Sequence, residues 1–284
     1  GLVLSLSLCL SGCSVGLKDA YSLKERIPSI EASFAAEEEA AKGFASDLCV
    51  ISDEGSFNPE DVTSQAGALF DLTDREVLYS KDAFEKLYPA SITKVMTALI
   101  AIKYGNLEDQ VTVTEDAVIT ETGATLCGIQ PGDTLTLEQL LYGLMLPSGN
   151  DAGAAIAIHM AGSIDAFADK MNEEAKRLGA TDTHFMNPHG LHDEDHYTTA
   201  YDLYLIFNEA LKYPEFRTVT GSTAYTANYT NKAGESISKT WRGGNWYLTG
   251  EHETPKGLTV FSGKTGTTKA AGYCLIMAEK DDSD

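Results

Sequence analysis

YPASITKVMTALI, residues 88–100, is apolar almost throughout, yet it carries Ser91 and, three residues on, Lys94. A lysine in such a stretch gives up hydration and gains nothing from packing, so its place there calls for a chemical reason. The stretch reads as a helix opening at Ala90 or Ser91, with Val95, Ala98, Leu99 and Ile102 on one face and Gly105-Asn106 as its stop. Positions i and i+3 share a helical face, which brings the ε-amine within reach of the hydroxyl. The N-terminal end of the helix dipole favours an alkoxide over the alcohol. Burial disfavours the charged lysine, by as much as ~3–5 pKa units when complete. A neutral amine beside a serine hydroxyl is a general base beside a nucleophile, so the lysine is there to lose its proton.

Ser-x-x-Lys recurs at Ser236–Lys239, but in a polar, strand-like run where a lysine is simply solvated. Ser-x-Asn also occurs twice. Ser56-Phe-Asn58 lies in an acidic stretch ahead of any fold, whereas Ser148-Gly149-Asn150 bridges two apolar helices, LLYGLMLP and DAGAAIAI. A tight turn, permitted by Gly149, lets a hydroxyl and an amide face one cleft. There Ser148 could relay a proton to a leaving amine and Asn150 could hold a substrate amide. Lys264-Thr265-Gly266 occurs once, inside a strand-like run where alternation puts Lys264 and Gly266 on the same side. A glycine there lets a ligand backbone lie close to the strand. The lysine and the threonine hydroxyl could hold a carboxylate by charge-assisted bonds worth about 1.5–3 kcal/mol apiece.

Around these motifs the chain alternates in character. QAGALFDL and EVLYS, split by Thr73-Asp74-Arg75, read as a β-hairpin. The middle is helix-rich: TLTLEQLLYGLML opens on a Thr136…Gln139 capping box, and DAGAAIAIHMAG, AFADKMNEEAKRLG and TTAYDLYLIFNEALKY follow as helices. After Pro214 the Thr, Tyr, Asn and Gly content points to strands, and TVFSGKTG with AGYCLIMAEK reads as an antiparallel pair. Strands, a helix cluster, then strands favour an α+β fold, with a helical lobe inserted between parts of a sheet lobe.

The formal net charge of −21 over 284 residues argues against nucleic acid as a partner and against adsorption on an anionic membrane by charge alone. The opening GLVLSLSLCLSGC has the short apolar core and small residues of a signal peptide. Its end, Leu10-Ser11-Gly12-Cys13, resembles the lipobox of bacterial lipoproteins. That resemblance makes Cys13 the lipidated first residue of a mature chain; an unlipidated signal peptide with an incidental cysteine is the alternative. Residues 1–13 are thus read as signal peptide and 14–62 as an acidic tether or short packed helix. Cys49, Cys127 and Cys274 form neither a disulfide framework nor a zinc pattern, and read as small buried hydrophobes. His184, His189, His192 and His196 crowd with Asp193 and Asp195 into THFMNPHGLHDEDH. Their loose spacing and Pro188-Gly190 favour a structural or cleft-edge loop over a metal site.

Taken together, YPASITKVMTAL, LMLPSGNDA, THFMNPHGLHD…HYTTAYDL and GKTGTT…AGYCLIMA resemble the D-alanyl-D-alanine carboxypeptidases, the low-molecular-mass penicillin-binding proteins. The resemblance covers roughly Ser64 to Lys280, so residues 63–284 are read as the catalytic domain. It implies the penicillin-recognising fold, an antiparallel sheet packed with helices plus an all-helical lobe. It implies peptidoglycan stem peptides as substrate, β-lactams as covalent inhibitors and no cofactor or metal. Carried over by motif, Ser91 attacks the penultimate D-Ala carbonyl, Lys94 takes its proton and Ser148 passes one to the departing D-Ala. Asn150 orients the acyl part, and Lys264 and Thr265 bind the terminal carboxylate. Gly266 leaves the strand open to the ligand backbone, and the N–H groups of Ser91 and Thr267 form the oxyanion hole. The family continues beyond the last strand seen here, and the chain starts at Gly1, so a piece of a longer, lipid-anchored extracytoplasmic protein is expected. Two rivals share the motifs. A class A β-lactamase needs a Glu-x-x-x-Asn stretch that is absent between Ser148 and Lys264. A catalytically silent wall-binding lipoprotein would keep the fold alone.

Overall fold

The computed structural model describes residues 47–51 and 62–282. Cys13, the signal peptide and most of the acidic stretch, Ser56 and Asn58 included, lie outside the described residues. The chain divides into two units, Gly1–Val50 and Ile51–Asp284, and the elements below all belong to the second.

The helix read from the opening stretch begins as a 3-10 turn, Ala90–Thr93, and continues as α1, Lys94–Tyr104, ending at Gly105. The amphipathic face expected for it is not what forms. Every residue from Lys94 to Ala101 is buried, while Ile102 is only half-buried. A helix apolar all round belongs in the middle of a protein. Accordingly α1 packs against five other helices: α2 (Leu137–Met145), α3 (Asn150–Ala161), α4 (Ile164–Arg177), α5 (Ala200–Ala210) and α6 (Pro214–Gly221). The helices start as their caps dictate. Thr136 and Gln139 complete the capping box of α2, Ser163 accepts from Ala166 N–H at α4, and Thr199 from Asp202 N–H at α5. One buried carboxylate ties α1 and α4 together, and Glu209 of α5 joins through Lys103 and Arg177. Glu174 takes Lys103 at 3.0 Å, the Tyr104 hydroxyl at 2.8 Å, and Arg177 through both oxygens. Burial pushes its pKa up, but these three donors outweigh burial and hold it at about 2.

Strands β1 (Gly67–Asp71) and β2 (Glu76–Lys81) form the expected hairpin, its loop held by Asp71 Oδ1, which accepts from Thr73 and Asp74 N–H. The helix-rich insert also carries a small antiparallel sheet in the order β3-β4-β5-β6, so it is mainly rather than wholly helical. These strands are Gln110–Thr112, Thr134–Thr136, Ala224–Thr230 and Ser236–Arg242. After Pro214 the chain first makes α6 and only then strands. Proline suits the first position of a helix, where its missing N–H is not needed and its φ is pre-set. Lys239 on β6 is not simply solvated either: its Nζ donates to Gly128 O at 2.7 Å. After a single short turn, α7 (Trp246–Thr249), the long strands β7 (Leu258–Thr268) and β8 (Gly272–Asp281) form an antiparallel pair. β7 lies against the 3-10 turn and α6, which brings Lys264-Thr265-Gly266 alongside Ser91. Cys49 and Cys127 are buried as expected and Cys274 only partly; Cys127 and Cys274 are free.

Candidate active site

Three chain segments converge on one cleft of ≈ 280 Å³, lined by Ser91, Ser148, Lys264, Thr265, Gly266 and Thr267 together with Thr125, Ser222, Arg242 and Leu248, among others. Lys94 lies beneath it with no exposed surface. Its Nζ is 2.9 Å from Ser91 Oγ, 2.7 Å from Asn150 Oδ1 and 2.6 Å from His189 O. The chemistry of the three partners is unequal. Asn150 Oδ1 and the carbonyl can only accept, and they use the two hydrogens of a neutral amine. Ser91 Oγ carries a proton, so the amine's lone pair is left facing that proton. The electrostatics agree: burial, then the charge of Lys264, lower the Lys94 pKa well below its ordinary value, and the more distant Asp151 offsets only part of this.

The turn bearing Ser91 is held under strain. Ala90, just before Ser91, has φ 48°, in the left-handed region that a residue with a side chain rarely adopts. Ser148 has φ 63°, so the tight turn falls on the serine and not on Gly149, whose φ is −65°. Gly149 is needed for space: a Cβ there would lie 2.7 Å from Cys127 Cβ and 2.7 Å from Gly143 O. Ser148 Oγ is buried and makes no hydrogen bond within the protein. Asn150 opens α3, buried, with Oδ1 committed to Lys94, so any bond to a ligand must come from its Nδ2 hydrogens.

On the opposite wall, a Cβ on Gly266 would come within 3.0 Å of Ser91 N and 3.2 Å of Ile92 N. Only glycine allows β7 this close to the turn bearing Ser91, and the approach brings the N–H of Ser91 near the Gly266–Thr267 stretch. Lys264 is 3% exposed, and burial brings its pKa down to about 7. Its Nζ donates to Thr265 O at 2.6 Å. The Thr267 hydroxyl donates to Gly266 O, and Thr265 lines the cleft beside it. Lys264 and Arg242 are the charged side chains of the lining, which contains no Asp or Glu. The cleft is therefore locally positive in a protein of formal charge −21.

A scan against family models matches residues 53–284 to the peptidase family S11, the D-alanyl-D-alanine carboxypeptidases. This chain belongs to that family. It is 34% identical over 223 residues to the D-alanyl-D-alanine carboxypeptidase DacF of Bacillus subtilis, covering 76% of this chain and 54% of that one. It is 35% identical to the D-alanyl-D-alanine carboxypeptidase of Streptomyces sp. strain K15 over 71% of each chain. The crystal structure of the Streptomyces K15 DD-transpeptidase superposes with a TM-score of 0.72 at 32% identity, covering 79% of this chain and 87% of that one. The chain spans about half the length of the first curated relatives it matches, 54% and 53%. Its α+β architecture is the penicillin-recognising fold of these S11 peptidases.

Every sequence-expected site residue among those described lies at this cleft or directly beneath it. Four others escaped the sequence reading. Asp151 accepts from the N–H groups of Cys127, Gly128, Ile129 and Ala152, clasping the 125–129 loop to the start of α3. Its position right after Ser148-Gly149-Asn150, at the first turn of a helix, was the available signal. Arg242 ends β6 at the rim, exposed. Gly190 and His196 brace the turn bearing Ser91 from behind. The histidine-rich loop packs against the turn that bears Ser91. Among the described residues no group of metal-binding side chains forms, and His189 and His196 are buried.

Proposed function

We propose that this S11 family member is a serine-type D-Ala-D-Ala carboxypeptidase acting on peptidoglycan stem peptides and so regulating cell-wall cross-linking. The observation that carries the reading is the buried Lys94 amine, whose only proton-bearing partner is Ser91 Oγ, 2.9 Å away in the wall of a positive cleft. Lys94 takes the Ser91 proton as Oγ bonds to the penultimate D-Ala carbonyl carbon. The oxyanion that forms is held by the N–H groups of Ser91 and Thr267, where losing one donor typically costs about 2.7–4 kcal/mol. The C–N bond then breaks, and the departing D-Ala nitrogen receives a proton handed from Lys94 through Ser148 Oγ. Lys264 and Thr265 bind the terminal carboxylate, and Asn150 steadies the acyl portion. Water attacks the ester, returns a proton to Ser91 by way of Lys94, and frees the shortened peptide.

β-Lactams would acylate Ser91 in the same way and leave slowly, because no carboxylate lines the cleft to activate a deacylating water. That argues against the β-lactamase reading, and rapid nitrocefin turnover would overturn it. The decisive experiment exposes the protein to a fluorescent penicillin, with Ser91→Ala as control, and then measures D-Ala release from diacetyl-Lys-D-Ala-D-Ala. Label on the wild type alone, with D-Ala released, supports the reading. A folded wild type that takes no label sinks it. We further propose that Cys13 carries a lipid anchor on the outer face of the bacterial cytoplasmic membrane. Incorporation of a clickable palmitate analogue that survives Cys13→Ala would refute this.

A further inference from the structure

The nucleophile turn is gripped from behind by one loop, the stretch between α4 and α5. Lys94 Nζ meets His189 O at 2.6 Å, and the Thr97 hydroxyl donates to Pro188 O at 2.6 Å. Gly190 lies against the Ala90 carbonyl. The fourth grip alone uses a side chain of the loop: His196 Nε2 is 2.8 Å from Thr93 Oγ1. The direction of that bond follows from the other ring nitrogen. Met186 N–H donates to His196 Nδ1 at 3.1 Å, so Nδ1 holds the lone pair and Nε2 holds the proton. The ring is 2% exposed, and burial brings its pKa down to about 4, so it is neutral at neutral pH.

The ring is held where it is. The His196 backbone N–H donates to Asp193 O, and Phe185 stands edge-on to the ring at 5.6 Å. Phe185 is fixed at both N–H and C=O by the side chain of Asn172 on α4. The turn, in contrast, needs holding. In a 3-10 helix residues i and i+3 eclipse, which places Ser91 directly in register with Lys94; in an α-helix they would be offset. Runs of 3-10 structure are intrinsically poorer than α-helix, and this one begins at a strained Ala90 and leads straight into α1.

We propose that His196 is a positioning residue: by donating from Nε2 to Thr93 Oγ1 it holds residues 90–93 in their 3-10 form and keeps Ser91 aligned with Lys94. This rests on Ser91 acting as the nucleophile. The test resolves penicillin acylation by stopped flow into initial binding and the first-order covalent step, alongside kcat and KM for the D-Ala-D-Ala peptide. His196→Phe keeps a ring without the donor, and Thr93→Val removes the acceptor. Each slows the covalent step and kcat about 10- to 100-fold, the loss expected from misplacing a catalytic group by about 1 Å, while KM holds. The double variant is no slower than the worse single one. His196→Gln, which retains an N–H and an acceptor at similar reach, recovers most of the rate. A purely structural histidine would lower the melting temperature and leave the covalent step of the folded fraction at the wild-type rate, which overturns the proposal. Additive losses in the double variant overturn it as well. Should His196→Phe fail to fold, a folded Thr93→Val at wild-type rate suffices to refute it. A wild type that takes no penicillin defeats the nucleophile assignment instead, and the two failures are thereby distinguished.

Discussion

Gly190→Ala tests how finely the nucleophile turn is seated. Gly190 has φ +84°, and an added Cβ would stand 1.9 Å from the Ala90 carbonyl oxygen and 3.0 Å from Ser91 N. Real Cβ contacts essentially never fall below 3.0 Å, so the loop and the turn must separate by about 1 Å. The obstacle is backbone on a buried segment, so no flexible side-chain tip can swing away. Two separable effects follow. Forcing alanine into a left-handed conformation costs roughly 1–2 kcal/mol of stability. Moving the turn by about 1 Å costs on the order of 100-fold in the covalent step. Gly162 isolates the first effect: its φ is +83°, it ends α3, and a Cβ there would meet nothing within 4 Å. Gly162→Ala therefore loses comparable stability in urea titration and acylates at the wild-type rate. Fluorescent-penicillin labelling over a time course, normalised to folded protein by circular dichroism, gives the comparison. A folded Gly190→Ala that labels as fast as Gly162→Ala would refute the claim that this loop sets the position of Ser91.

Lys94→Met removes the base and is expected to slow acylation by about 10²–10⁴-fold, read by the same labelling course. Lys264, near 7 in the empty cleft, must be charged to bind a carboxylate. The KM for the anionic peptide is therefore expected to rise as pH increases through about 7, and a KM flat from pH 6 to 9 would contradict this role. Arg242 stays charged throughout that range; Arg242→Ala is expected to raise KM several-fold and to flatten its dependence on salt. His189 and His196 titrate at about 3 and about 4 when folded, below their ordinary value, because burial disfavours their charged forms; Lys94 adds to this for His189. The unfolded chain binds their protons first, so the stability they contribute is complete above about pH 6.5 and is lost as pH falls through the folded values. A melting temperature unchanged between pH 6.5 and 4.5 would contradict this. Asp151→Ala orphans buried N–H groups of the 127–129 loop and is expected to cost at least about 3 kcal/mol in urea unfolding.

Where signals were local, the sequence was sufficient. The β1–β2 hairpin, the capping box at Thr136 and the β7–β8 pair each follow from a few adjacent residues, as does the conjunction of Ser91 with Lys94. What stayed hidden depends on partners distant in the chain or on a backbone angle. The burial of α1 on every side comes from five helices surrounding it, which a periodicity over eleven residues cannot report. Pro214 looked like the start of strands because proline breaks helices from within, yet it also starts them. The left-handed φ of Ser148 cannot be inferred from residue type, since the adjacent Gly149 is the natural candidate. Lys239 seemed a solvated decoy until Gly128, 111 residues away, supplied its acceptor. His196 and Gly190 were visible only as a histidine-rich loop, because their partners, Thr93 and Ala90, lie some hundred positions earlier.

The turn bearing Ser91 touches residues near positions 150, 190 and 266 at once. A growing polypeptide therefore cannot display a working serine until the strand carrying Gly266 has been made and has docked, however far its helices have condensed. Covalent tagging by a β-lactam thus doubles as a gauge of when that strand has docked. In a pulse-chase, the delay between synthesis of the β7–β8 segment and the first ability to take the tag measures how long that hairpin needs to dock.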